Sequence, residues 1–219
     1  MEYFEIIDYP GKTTGKKKLR NRVHTDGDWH RASHIHLVNP VRKTIFFQQR
    51  SPNKLIAANL IDAAVGGHHT FGEDETTVVQ RETLEEVGLD LQHHPGELVR
   101  IGGYHIGINE DLVQGIQDYE LRDVHIFVAD LSIETFSLQQ EELFAILEFR
   151  NQDVLDLFLD RVAQIQNVAG RRFNTDGELV DYIHYWSKAD FVPSPDNYFG
   201  KVAAIVKRIY QGEREFPGI

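Results

Sequence analysis

The chain has 219 residues, 41% hydrophobic and 26% charged, and its 23 Lys and Arg against 34 Asp and Glu give a formal charge of −11. That acidity argues against sequence-independent binding of a nucleic-acid polymer, which needs basic surface against phosphates. The absence of cysteine excludes disulfides, thiolate zinc sites and a cysteine nucleophile, and weakly favours a reducing compartment. The length suits one large domain, or a domain with an appendage. No apolar run approaches the ~20 residues that cross a bilayer, and the first residues lack a basic-then-apolar leader. A cytoplasmic protein with no membrane partner is expected.

In chain order, residues 2–9 (EYFEIIDY) read as a strand closed by the Pro10-Gly11 turn signal. Residues 12–22 are polar and basic. They read as a solvated connector, unless Lys16, Lys17, Lys18 or Arg20 reaches a phosphate. Residues 24–36 (HTDGDWHRASHIH) hold four of the 11 histidines. Residues 33–38 alternate as a strand, which puts His34 and His36 on one face. Trp29 is expected in the core. Residues 44–49 (TIFFQQ) form a second strand after the Asn39-Pro40 turn, and Arg50 and Lys54 follow as the best-placed cations for an anionic substrate. Residues 60–65 are a short apolar strand. Gly66 and Gly67 close it, and their bare backbone can approach a metal or a phosphate.

Residues 67–89 (GHHTFGEDETTVVQRETLEEVGL) carry the densest chemistry. If 74–87 is helical, Glu82, Glu85 and Glu86 fall within an arc of roughly 100° at ~3.6 residues per turn. Thr83, Leu84 and Val87 then face the core, and Gly88 is the expected left-handed cap. Three carboxylates so close repel one another unless a cation sits among them. Oxygen donors of this kind suit Mg²⁺ or Mn²⁺. Beyond the helix, 98–106 is a strand, 109–117 a loop, 124–131 (VHIFVADL) a strand, and 143–149 a strand preceded by Glu141 and Glu142. The periodicity predicts helices over 154–165, 178–188 and 200–211, with a break at 192–195. The order suits a mixed sheet between helices, and no internal repeat is present.

Gly67, Glu73, Arg81, Glu82, Thr83, Glu85, Glu86, Gly88 and Leu89 occupy the fixed positions of G-x5-E-x7-R-E-U-x-E-E-x-G-U, where U is bulky and apolar. Thr83 is less apolar than usual. The stretch therefore resembles the signature of the Nudix hydrolases. The resemblance implies an α/β (α+β) fold, a Nudix α/β/α sandwich with a mixed sheet between helices. We expect a single domain over 1–219, with an N-terminal strand in 1–10, a core over about 28–165 and a C-terminal helical extension over about 166–219. It implies Mg²⁺- or Mn²⁺-dependent hydrolysis of a diphosphate linkage in a nucleoside or other organic diphosphate, isoprenoid included. Glu82, Glu85 and Glu86 would hold metal, joined by a carbonyl of Gly66 or Gly67. Arg81 and Glu73 would orient the glutamates. The general base would be Glu82 or an acid on a later strand, Glu142 first and Glu141 second. The partner would be a small-molecule diphosphate, and a second copy of the chain is a further partner that the resemblance allows, because homodimers are common in this family.

The segments HTDGDWHRASHIH, QQRSPNK and GGHH resemble the branch that includes isopentenyl-diphosphate isomerase and its hydrolase relatives. His24, His30 and His68 match that enzyme's metal-binding histidines, with His24 and His30 one residue closer together. Glu120 aligns with one of its strand glutamates, while Arg122 stands where the second is placed. The resemblance makes His30 and His68 candidates for contact with metal or substrate phosphate. Gly66 replaces the isomerase's cysteine, which disfavours isomerisation. Nearly the whole chain, including FSLQQEE and FVPSPDNYFGKVAAIVKRI, resembles the Nudix domain of plant fusions with a dipeptidyl-peptidase-like enzyme. A non-catalytic ligand-binding module is the alternative of another class, and the intact signature argues against it. Selectivity is expected from 16–28, 109–117 and the C-terminal helices.

Overall fold

The computed structural model describes residues 2–9, 11–111 and 115–219. Pro10 of the expected turn, and 112–114 of the expected loop, lie outside the described residues. A hairpin of β1 (Tyr3–Asp8) and β2 (Lys12–Leu19) leads into a short helix, α1 (Arg20–Asp26). The basic run expected as a connector is thus a strand and a helix. Next come β3 (Trp29–Asn39), β4 (Thr44–Arg50), β5 (Ile61–Ala63), β6 (Val65–His68) and α2 (Glu75–Val87). They are followed by β7 (Glu97–Asp111), β8 (Ile116–Val128), β9 (Leu143–Arg150) and α3 (Asn151–Phe158). The last elements are β10 (Ile165–Gln166), β11 (Ala169–Phe173), β12 (Leu179–Asp181), β13 (Tyr185–Trp186) and α4 (Tyr198–Ile209).

One mixed sheet organises the chain. Its strand order is β12-β11-β9-β4-β3-β8-β7, with β5 paired to β4 and β6 to β3. β3 and β8 run parallel, and their register sets His30 beside Glu120 and Ala32 beside Arg122. The central strand β4 is buried on both faces over Thr44–Gln49, so its apolar residues Ile45, Phe46 and Phe47 are consecutive rather than alternating. Its alternate residues part to opposite sides. Phe46 joins Ile35, Leu37, Val79 and Val87 under α2. Ile45 and Phe47 join Phe149, Val154, Phe199, Val202 and Val206 under α3 and α4. The result is the expected sandwich of helices on both faces of a mixed sheet. No helix among the described residues is long and apolar enough to cross a membrane.

The C-terminal part differs from its sequence reading. Residues 178–188, expected as a helix, form β12 and β13. β12 pairs with β11, which itself adds to β9 of the main sheet. β13 pairs with β10. Long-range hydrogen bonds override local helical preference here. Asn167 donates to the Tyr182 carbonyl at 2.7 Å and accepts from the His184 N–H at 2.8 Å and from the Trp186 indole at 3.1 Å. The extension over 166–219 thus carries one α-helix, α4, and four short strand segments near or within it. The helix expected over 154–165 spans Asn151–Phe158 instead, and Asp160 turns the chain at φ 57° just beyond its end. In the expected loop 109–117, β7 and β8 continue on either side of the undescribed residues.

Phe47 is fully buried and meets Phe149, Phe191 and Phe199 edge to face, with centroids 5.6–5.9 Å apart. Phe47→Ala is expected to lower stability by about 3–5 kcal/mol. Urea unfolding should show this as a lower midpoint at an unchanged slope.

Candidate active site

The site grows from the approach of β6 to α2. Asp74 caps α2, its carboxylate accepting from the Thr77 N–H at 2.9 Å. Gly88 ends the helix at φ 68°, as its expected role requires. Glu75 in the first turn accepts from Arg100 at 2.6 Å and lies 2.7 Å from His125 Nε2. These contacts clamp the helix to the sheet. Thr83 and Val87 face inward as expected, but Leu84 is half exposed and Glu86 takes a buried position instead. Glu86 can be buried because two donors of the sheet meet it, the Gln48 side chain and the Gly66 N–H, each at 3.3 Å.

Arg81 is the hub of the acidic cluster. Its Nε and Nη2 grip Glu73 at 2.7 and 2.9 Å in a bidentate pair, and Nη1 reaches Glu82 at 2.8 Å and Glu85 at 3.3 Å. Burial opposes the charge on Glu73, yet the Arg81 bonds hold its pKa down to about 2. Burial wins at Glu82, lifting it to about 7 against the pull of Arg81. It wins more strongly at Glu86, where the charges of Glu82 and Glu142 add to the rise. A hard cation fits this donor set, since it would supply the compensation that buried carboxylates lack. Gly67 shapes the cluster sterically: a Cβ there would lie 2.0 Å from Glu82 Cδ.

A second cluster lies on the other side of the same strand. His24 from α1, His30 from β3, His68 from β6 and Asp118 from β8 place one ligand atom each within 4.8 Å of one another. The four atoms, three Nε2 and one Oδ1, are buried without hydrogen-bond partners. Their separations from neighbouring acids are short, 3.3 Å from His30 to Asp118 and 2.9 Å from His68 to Glu120, but misaligned for hydrogen bonding. Burial lowers His24 to about 4, while at His30 the Asp118 and Glu120 charges outweigh burial and raise its pKa. Three imidazoles and a carboxylate whose ligand atoms converge without partners fit a borderline transition metal. Phe4 stacks on His30 and His68, with centroids 5.2 and 4.8 Å away, and closes the cluster from the hairpin side.

One cavity of about 700 Å³ borders both clusters. Arg50 and Lys54 line it, as do Glu82, Glu85, Glu86, Gly67, His68, Arg81, Glu141 and Glu142. Arg50 is tied to Asp62 at 3.2 Å and Lys54 to Glu142. His30 and Glu73 sit behind the lining, each through its cluster. His34 and His36 are buried strand residues that converge on the Tyr198 hydroxyl at 3.1 and 3.0 Å. Trp29 is only half-buried, between Tyr9 and Tyr119. Asp118 went unseen in the sequence. The signal for it was the period-two run Asp118, Glu120, Arg122, which shares one face of β8. Glu2 was missed too: it lines the cavity, and its charge contributes to the rise at Glu82.

No family model matches the chain. An uncharacterized Nudix hydrolase of Clostridium acetobutylicum is 32% identical over 204 residues, which cover 90% of this chain and 93% of that protein. Nudix hydrolase 3 of Arabidopsis thaliana is 29% identical over 157 residues, 68% of this chain but 20% of that much longer protein. Among solved structures, a Deinococcus radiodurans protein superposes with a TM-score of 0.56 at 17% identity, covering 95% of this chain and 99% of that one. That likeness is one of fold.

The Glu82 shift has a measurable sign. In metal-free protein the folded state keeps a proton that the unfolded state loses above its ordinary pKa of 4.5. This group therefore removes stability as pH rises from about 4.5 to about 7, with the full loss above that window. Glu82→Gln abolishes the titration. Its stability relative to the parent chain should rise between pH 5 and 8 by up to about 3 kcal/mol, read from urea unfolding in EDTA. A difference that does not change with pH would contradict the burial of this carboxyl.

Proposed function

The chain belongs to the Nudix hydrolases, and on that premise we propose that it hydrolyses the diphosphate linkage of a small organic or nucleoside diphosphate with Mg²⁺ or Mn²⁺. One observation carries the reading: Glu82, Glu85 and Glu86 converge on one cavity, and burial lifts the pKa of Glu82 and of Glu86. Divalent ions held by these carboxylates would neutralise the diphosphate, acidify the attacking water and stabilise the leaving oxygen.

The remaining steps belong to the chain's own residues. Arg81, fixed by Glu73, holds Glu82 and Glu85 in place rather than contacting substrate. Glu82, with its pKa near 7, suits proton acceptance from water near neutral pH. Glu142 is the second candidate, held by Lys54 at the cavity wall and close enough to Glu86 for their charges to interact. Arg50 and Lys54 would receive phosphate oxygens by exchanging their carboxylate partners for the substrate. His24, His30, His68 and Asp118 would hold a further ion of the transition type beside this centre. This separate cluster favours a relation to the isopentenyl-diphosphate isomerase branch, with hydrolysis as the reaction because Gly66 offers no thiol.

Phosphate release with Mg²⁺ over nucleoside di- and triphosphates, sugar nucleotides and isoprenoid diphosphates is the direct test. Glu85→Gln is expected to lower kcat by about two or more orders of magnitude, and an unchanged rate would sink the assignment. Absence of turnover on the whole panel, with tight metal-independent binding of one compound, would favour a binding module. The histidine cluster has its own readout. Co²⁺ loading should show a ligand-field absorption band that Asp118→Asn and His68→Ala each weaken while Glu85→Gln leaves it in place. A band of equal strength in all three variants would remove the second ion from the proposal.

A further inference from the structure

Among the described residues, each Lys or Arg bordering the cavity gives at least one terminal nitrogen to a carboxylate, with one exception. Arg20 bonds Glu2 through Nη1 at 3.0 Å, Arg50 bonds Asp62 through Nη1 at 3.2 Å, Lys54 bonds Glu142, and Arg81 serves three glutamates. Arg122 donates through Nε alone, to Glu120 at 2.6 Å. Among the described residues, neither of its terminal nitrogens donates to a protein acceptor. The residue is nonetheless more than nine-tenths buried, and it lines the cavity.

The fold holds this guanidinium in place. Arg122 lies on β8 beside Ala32 of β3, and Ala32 lies beside His68 of β6. The small Ala32 leaves open floor between them, and two strand spacings separate Arg122 from His68, about 10 Å. On the other side, Gly107 of β7 makes room: a Cβ there would lie 2.3 Å from Arg122 Cζ. Neutralising Glu120 needs one charge and one bond, which Nε already supplies. The four remaining N–H groups have no protein acceptor, on a side chain that is itself about nine-tenths buried and lines the cavity, so they stand open to an incoming acceptor. A planar pair of oxygens meets them in parallel hydrogen bonds, as phosphate and carboxylate groups do.

We infer that Arg122 is the anion receptor of the cavity floor, taking in a bidentate grip a phosphate or carboxylate carried by the organic part of the substrate. This rests on the hydrolase reading above for the identity of the ligand, but not for the binding itself. It makes the substrate a diphosphate with a further anionic group at a distance from the linkage that is cut.

The test uses full-length, metal-free protein, so that neither turnover nor the glutamate centre enters. The Arg122 Nε–H resonance is assigned by its loss in Arg122→Lys, and inorganic phosphate and acetate are titrated separately. Saturable displacement of that resonance by one or both anions is expected, and which one acts distinguishes phosphate from carboxylate. By calorimetry, the affinity should fall at least tenfold in Arg122→Lys, which keeps the charge but loses the fork. It should be lost in Arg122→Met combined with Glu120→Gln, which avoids stranding a buried carboxylate. Unfolding midpoints of the variants report their integrity. A resonance that moves with neither anion overturns the proposal, as do variants that bind like the parent chain.

Discussion

The molecule's chemistry depends on a backbone that has no side chain where it passes under a glutamate. Gly67 on β6 lies so close to Glu82 that even a methyl group would overlap its carboxyl. This approach lets the strand and α2 share one small volume, and it buries carboxylates that a looser contact would leave in water. Burial then sets the electrostatics. The lifted pKa values at Glu82 and Glu86 follow from packing α2 this closely onto the sheet.

The same strand has a second side. The Gly66 N–H and the bare face of Gly67 meet the glutamates, while the next residue, His68, joins His24, His30 and Asp118. A chain with a charge of −11 thereby keeps two separate sets of donors, one all oxygen and one mostly nitrogen, without merging them. The boundary between them is a short row of alternating charge, with Glu120 between the histidines and Arg122. Because hard and borderline cations prefer different donors, two ions bound at these sets would be told apart within one cavity.

The acidic cluster was legible in the sequence because its geometry is local. Spacings of three and four residues on a helix fix Glu82, Glu85 and Glu86 whatever the rest of the chain does, and Asp74 and Gly88 mark the helix ends. The histidine cluster was half legible. His24, His30 and His68 drew notice by type and place, but Asp118 joins them only through the parallel register of β3 and β8, and residues 30 and 118 carry no local sign of that pairing. Leu84 and Glu86 exchanged their expected burial because Gln48 and Gly66 supply donors from distant strands. Residues 178–188 misled for the same reason: their strand state is decided by β11, β10 and the Asn167 side chain.

Phe4 has a consequence for the order in which the molecule comes together. It belongs to a hairpin outside the main sheet, and its ring rests on His30 and His68. Proteins are synthesised from the amino end, so this ring is made before any surface exists to receive it. The histidines it covers gain their fourth neighbour only when residue 118 has emerged and β8 has paired with β3. The hairpin has no partner surface until residues 68–71 have followed it, and its polar, lysine-rich second strand suits that wait. The cover on the nitrogen-rich cluster thus comes from the first-made segment, while the cluster's last ligand comes from the second half of the chain.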